Sequence, residues 1–213
     1  MKNIFLLFFI AIATLIAAPK TYIINHSGLM DDRAYSKINT IGNEVSTKLG
    51  VEIYLDIKGS NQIDPRLPRE QRYKQVKSLE KKLLNEVKST ATKPFIILTM
   101  AIDQYYTNIL YSNEELKKIV LKDDILDDYV IPLLASHDKN MRKSKVSAAS
   151  LNGYAQIADE LGEWKNIKLE SSIGSEGKVV SEVWKVFMYT MVFIGIIAYS
   201  IVVMREKKAK KND

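Results

Sequence analysis

The sequence predicts an α/β protein, a layered sandwich on a mixed sheet, joined to one C-terminal transmembrane helix. Three observations predict it. From Tyr22 to Leu161, short strand-like runs alternate with stretches whose apolar residues recur at three and four, in the order β-α-β-α-β-β-α-α-α. Helices layered on a sheet produce that alternation. One run, "FIILTMA" at Phe95–Ala101, is apolar throughout, as a central strand covered on both faces is. Finally, Val186–Met204 passes nineteen positions without a charge, long enough at ~1.5 Å per residue to cross a bilayer core of roughly 30 Å.

The chain opens with "MKNIFLLFFIAIATLIAAPK": one cation at Lys2, an apolar run from Ile4 to Ile16, then Ala17 and Ala18. This is the layout of a secretory signal peptide over residues 1–18, with an uncleaved anchor as the alternative because Pro19 directly follows Ala18. Tyr22–Ile24 is a short strand ended by "NHSG". Asp31 or Asp32 caps a helix whose Ala34, Ile38, Ile41, Val45 and Leu49 form one stripe, stopped by Gly50. "VEIYLDI" then alternates apolar Val51, Ile53, Leu55 and Ile57 with Glu52, Tyr54 and Asp56, which predicts a strand with one solvated face.

After a loop at Pro65 and Pro68, Glu70–Ser89 reads as a helix with Val76, Leu79, Leu83 and Val87 on its inner face. "YYTNILY" follows the Phe95–Ala101 strand closely enough to pair with it as a hairpin. Ser112 and Glu115 have capping-box spacing for the next helix, and two more helices are expected at Asp124–Leu134 and Ser144–Leu161. Residues 163–185 read as a linker, in which "SSIGSEGK" has the composition of a flexible tether. The transmembrane span occupies 186–204, with Trp184 and Tyr189 near one interface, and 205–213 is a cytoplasmic tail.

That tail holds Arg205, Lys207, Lys208, Lys210 and Lys211, the positive flank expected on the cytoplasmic side of a membrane helix. It has no interleaved aromatics for stacking on bases, so no nucleic-acid partner is expected. Setting aside Lys2, the five tail cations, Glu206 and Asp213 leaves 25 basic against 23 acidic residues, so the exported domain is nearly balanced. There is no cysteine, which excludes thiol catalysis and Cys-ligated metal centres and leaves the domain to be held by its core. The expected location is the cell membrane, single-pass, with residues 19–162 forming an extracytoplasmic domain that is periplasmic in a Gram-negative cell.

Longer stretches resemble a known family. "IINHSGLMDDRAYSKINTIGNEVSTKLGVEIYLDI" resembles the opening of TPM domains, "KPFIILTMAIDQYYTNILYSNEEL" their second half, "DDILDDYVIPLLASHDK" their helix ending at an aliphatic-Pro pair, and "SLNGYAQIADELGE" their closing helix. The resemblance covers about Tyr22 to Leu161 and rests on the order of these motifs. It implies a Rossmann-like fold. The family includes thylakoid-lumen proteins linked to photosystem II repair, some of them acid phosphatases, nematode modulators of acetylcholine receptors, and bacterial envelope proteins. Many of these share the layout of signal peptide, exported domain and membrane helix. Where the family has Asp at the end of its first strand this chain has the uncharged Asn25.

The densest acidic run is "LKDDILDDYVIP". On a helix Asp123 faces Asp127 and Asp124 faces Asp128, and clustered aspartates are the oxygen ligands that Ca²⁺ or another divalent cation takes. Asp56 and Asp103 stand at predicted strand ends, where open α/β sheets place ligands, and are the second metal candidates. More ordinary roles compete: Asp123 and Asp124 as helix caps, Asp103 as a turn residue, Asp56 on a solvated face. His26 and His137 sit in turns as surface residues, and "MRKSK" at Met141–Lys145 is a helix-start loop able to attract phosphate. Asn25-His26-Ser27 fits a glycosylation sequon, relevant only in a eukaryotic secretory pathway. No Gly-rich phosphate loop, G-x-S-x-G or H-E-x-x-H is present.

The expected function is therefore that of an accessory, assembly or repair factor that binds another membrane protein or complex. The alternative is a divalent-metal-dependent acid phosphatase. A sensor is the weakest expectation, since the short tail carries no output domain and the span lacks G-x-x-x-G.

Overall fold

Three parallel strands and one antiparallel return build the sheet. The computed structural model describes residues 20–135, 141–172 and 189–194. They fall in two units, Met1–Ser171 and Ser172–Asp213. In the first, β1 (Ile23–Asn25), β2 (Glu52–Lys58), β3 (Phe95–Ala101) and β4 (Tyr106–Tyr111) lie in the order β1-β2-β3-β4. The β1–β2 and β2–β3 pairs are parallel and β3–β4 is antiparallel. The connecting helices are α1 (Asp32–Leu49) and α2 (Arg69–Thr90). After β4 come α3 (Glu114–Ile119), α4 (Lys122–Ile125), a π-turn at Leu126–Val130, α5 (Ile131–Ala135) and α6 (Arg142–Lys165). This is the expected α/β arrangement on a mixed sheet.

Local chemistry explains the ends of α1. The Asp31 carboxylate accepts the Ala34 amide at 2.8 Å, and that bond holds its carboxyl below the usual range. Gly50 then closes the helix in the left-handed conformation, φ 70°, which glycine takes without strain. Ile38, Ile41 and Val45 are wholly buried. Each such side chain contributes roughly 1.5–3 kcal/mol by leaving water.

The pairing register assigns faces. Leu55, Leu98 and Ile109 stand in one row, Asp56, Thr99 and Asn108 in the next, so the two rows point to opposite sides of the sheet. α6 covers the first side: Gly153 fits against Leu98 and Val130, Ser150 reaches Met100, and the Tyr154 hydroxyl donates to the Ile53 carbonyl at 2.7 Å. α1 packs along α6, where Gly42 leaves room for the Tyr22 ring and the Tyr154 hydroxyl. α2 covers the second side. Its Glu80 carboxylate accepts from the Tyr106 hydroxyl and the Asn108 amide of β4.

Five local expectations are corrected by this packing. The polar side of β2 is not solvated: Glu52 and Asp56 are each only 1 % exposed. A strand flanked by strands and layered on both faces has no wet side, so its polar groups need partners. Glu52 accepts from Lys20, Tyr54 and Thr92 at 2.6–3.2 Å. Burial alone would raise its carboxyl, but these bonds outweigh it and hold it low, while burial and Glu52 together push Tyr54 up to about 12. In α2 the inner face is Glu80, Leu83 and Val87, with Leu79 exposed, because the helix anchors through Glu80.

The cap of α3 is Asn113, which accepts the Leu116 amide at 2.9 Å; Ser112 is drawn instead to the Phe95 amide at 2.8 Å. The helix expected over 124–134 starts at Lys122 and is interrupted by the π-turn. Pro132 accounts for the interruption, since it lacks an N–H and its ring crowds the carbonyl four residues back, which a widened turn relieves. The last helix starts at Arg142 and runs on to Lys165, beyond the expected Ser144–Leu161, and so takes up the first residues of the expected linker.

The chain leaving α6 is also held. Leu169 is buried, and Glu44 of α1 accepts from the amides of Glu170 and Ser171 at 2.9 and 2.8 Å and from the Ser171 hydroxyl. Partial burial would raise the Glu44 carboxyl, yet these donors and Lys48 outweigh it and bring it down to about 2. In the second unit, residues 189–194 are helical. No helix among the described residues is long and apolar enough to cross a membrane. The expected signal peptide, most of the expected span and the basic tail lie outside the described residues.

Candidate functional site

The site begins where β3 leaves the sheet. Ala101 passes into a 3₁₀ turn, Ile102–Gln104, which is tied to the loop after β2. The Asp103 amide donates to the Gly59 carbonyl at 2.8 Å, Gln104 accepts the Asn61 amide at 3.0 Å and donates to the Ser60 hydroxyl at 2.8 Å. Held this way, the turn ends on Tyr105 in the left-handed conformation, φ 49°. Bulky side chains resist that conformation, and glycine or asparagine is its ordinary occupant. The Tyr105 side chain is nevertheless 91 % exposed, so burial does not explain its presence.

Beside the turn, α5 and the first turn of α6 enclose a cleft of about 480 Å³. Ile102, Ile131, Leu134 and Val146 supply apolar wall, and Asp103, Arg142 and Lys145 supply charge. Arg142 pairs with the Asp103 carboxylate. Of its apolar wall, Ile131 is 42 % exposed. Apolar walls with a few convergent polar groups, at the carboxyl end of a parallel strand, are the usual place for a ligand in such a sheet.

The predicted site residues scatter relative to this cleft. Asp103 lines it. Asp56 lies within the sheet, its Oδ2 accepting from Thr99 at 3.1 Å and pairing with Lys58 at 3.1 Å, while its buried Oδ1 has no hydrogen-bond partner. Asp123, Asp124, Asp127 and Asp128 are all exposed and line no part of the cleft. Asp123 lies 3.8 Å from Lys122. The residue capping α4 is Leu121, which offers no side-chain acceptor, so Asp123 and Asp124 favour that helix end through charge alone. Among the described residues no group of three or more histidine, cysteine or acidic side chains is placed to hold a metal ion.

His26 is half-buried, edge-on to Tyr35 at 5.7 Å; His137 lies outside the described residues. Arg142 and Lys145 of the "MRKSK" run, which the sequence marks as able to attract phosphate, line the cleft. Tyr105, at its mouth, escaped the sequence reading, because no local signal marks a tyrosine for a left-handed turn.

No family model, no curated protein and no solved structure matches the chain. Fold and site together define an α/β sandwich domain with a cleft at the end of its sheet, apolar in its walls and edged by Asp103, Arg142 and Lys145.

Proposed function

We propose that this chain is a membrane-anchored, extracytoplasmic TPM-like domain of Rossmann-like fold that acts as an accessory, assembly or repair factor for a membrane protein complex. Its mechanism is binding: a segment of the partner docks in the cleft. The observation that carries this reading is Tyr105, a strained and almost fully exposed aromatic at the mouth of an apolar cleft. Exposed aromatic and aliphatic groups around a concave site mark protein interaction surfaces. The signal-like N-terminus, the uncharged span and the basic tail support the anchoring.

The test is purification of the full chain in mild detergent beside an Ile131→Asp variant. A stoichiometric membrane partner retained by the first and lost by the second is expected. No partner, with turnover of a substrate by the same preparation, would sink the proposal.

The second reading is a divalent-dependent phosphomonoesterase, and the Asp56 carboxylate, buried with one oxygen unpartnered, favours it. It predicts phosphate release from an aryl phosphate in Ca²⁺ or Mg²⁺ that is lost in Asp56→Asn and in the Asp123→Asn, Asp124→Asn double variant. No release at any pH, with or without either cation, removes this reading.

A further inference from the structure

We propose that a lysine-lined flank of α2 is a membrane-contacting surface that seats the domain on anionic phospholipid headgroups. The proposal rests on the reading of the chain as membrane-anchored and extracytoplasmic. It concerns the second side of the sheet, away from α6.

Charge is the first argument. α2 carries seven basic residues against three acidic, while the other residues between Lys2 and the basic tail carry 18 against 20. The positive charge of the domain is therefore concentrated in one helix. Of the three acidic residues, Glu80 is buried and paired with Lys77, and Glu86 lies 3.8 Å from Lys82. Arg69, Arg72, Lys74, Lys81 and Lys88 are all exposed, and none of them forms an ion pair among the described residues.

Placement is the second. Lys74, Lys81 and Lys88 stand seven residues apart, a spacing that drifts only about 20° around a helix at each step, so they line one flank over roughly 20 Å. Lys77 shares that flank, with Glu70 the one acid on it, in the first turn. Val76 and Leu79 lie on the other flank, where they line a small hollow with Lys58 and Asn61. Tyr73 adjoins the lysine row. It is 62 % exposed, and the Lys77 ammonium lies 5.6 Å from its ring centre.

The chemistry of the row selects its occupant. Lysine is a compact point charge on a flexible stem, without the planar fork by which arginine reads a single carboxylate or phosphate. A row of such charges on a convex helix offers no pocket for an anchoring side chain, which a protein hot spot requires. It suits a flat array of phosphates, to which each lysine near the surface adds its own attraction. A tyrosine beside the row suits the same place, its ring at headgroup level and its hydroxyl in water. A domain tethered at a bilayer meets that surface at high effective concentration.

The chain has no cysteine, so one introduced thiol carries a fluorophore to a chosen position. Asn85→Cys places an NBD label one turn beyond Lys81, and Asn152→Cys places one on the exposed side of α6, across the sheet. The labelled full chain is reconstituted in nanodiscs of phosphatidylcholine, with or without phosphatidylglycerol, each containing a headgroup nitroxide lipid that quenches on contact. Quenching at Asn85→Cys is expected to be about threefold or more stronger with phosphatidylglycerol and to fall as salt rises, while Asn152→Cys is unchanged. The Lys74→Gln, Lys81→Gln, Lys88→Gln triple variant is expected to lose the difference, and arginine at the same three positions to keep it. All three positions are exposed, so neither set disturbs the core. Equal quenching in the two lipids, an unchanged signal in the glutamine variant, or equal quenching at Asn152→Cys overturns the inference.

Alkaline carbonate extraction of membranes from the expressing cells separates this proposal from the anchoring it rests on. Chain that stays in the membrane pellet while Asn85→Cys shows no phosphatidylglycerol-dependent quenching overturns the lipid contact alone. Chain released by carbonate overturns the anchoring reading and the lipid contact with it.

Discussion

Glu44 shows how one side chain fastens a chain segment. Its carboxylate gathers the amides of Glu170 and Ser171, the Ser171 hydroxyl and Lys48, and so joins the chain leaving α6 to α1. Its carboxyl is depressed from 4.5 to about 2, so the linked stability is fully present above the unfolded value and is lost as pH falls from 4.5 towards 2. The size is on the order of 2–3 kcal/mol. Glu44→Gln is therefore expected to destabilise the domain at neutral pH and to flatten the acid limb of its stability curve. Urea unfolding across that pH range measures both effects; an unchanged acid limb would show that the Glu44 bonds do not persist in solution.

Elements meet where small residues allow it. At Gly42 a methyl group would overlap the Tyr22 ring and the Tyr154 hydroxyl. Helix propensity favours Gly42→Ala by about 1 kcal/mol, but overpacking between α1 and α6 costs about 1–3 kcal/mol, so net destabilisation is expected in thermal unfolding. Pro132 offers the opposite case. Pro132→Ala restores an amide and removes the ring clash, yet the π-turn already relieves most of that strain. A gain of about 1 kcal/mol is expected, short of the roughly 3 kcal/mol that proline costs inside an unbroken helix. A denaturation midpoint that falls would show the widened turn to be required for packing. The π-turn was not legible in the sequence, because Ile131-Pro132 also reads as a helix end, whereas in the fold Leu126 and Val130 are buried and the chain continues as helix past it.

Across the whole molecule, burial is unevenly shared. α1 and α6 bury long faces, while α2 buries only Glu80, Leu83 and Val87 along 22 residues. Much of its hold on the sheet runs through the Glu80 carboxylate and its partners Lys77, Tyr106 and Asn108. α2 amides are thus expected to exchange hydrogen faster than those of α1 and α6. Glu80→Ala, which leaves the half-buried Tyr106 and Asn108 without this acceptor, is expected to cost about 1–3 kcal/mol and to remove the remaining α2 protection first. Uniform exchange loss across all three helices would mean that α2 does not open separately.

By itself the sequence determined the succession of strands and helices up to the irregular segment Lys122–Ala135, a start for α1 at Asp31 or Asp32 and its stop at Gly50, and β3 as a strand covered on both faces. Those signals are local: periodicity, a capping carboxylate and a left-handed stop act within a few residues of one another. The tertiary structure decided what becomes of the polar groups. Asp56 alternates with apolar residues as a solvated position would, and only the layers on either side make it buried. Asp103 reads as a turn residue until the fold brings Arg142, 39 positions away, onto its carboxylate. Tyr105 and the cleft depend on the loop after β2, the turn after β3 and the start of α6 arriving together. No window of sequence contains that convergence, because it is set by how separate elements share one core.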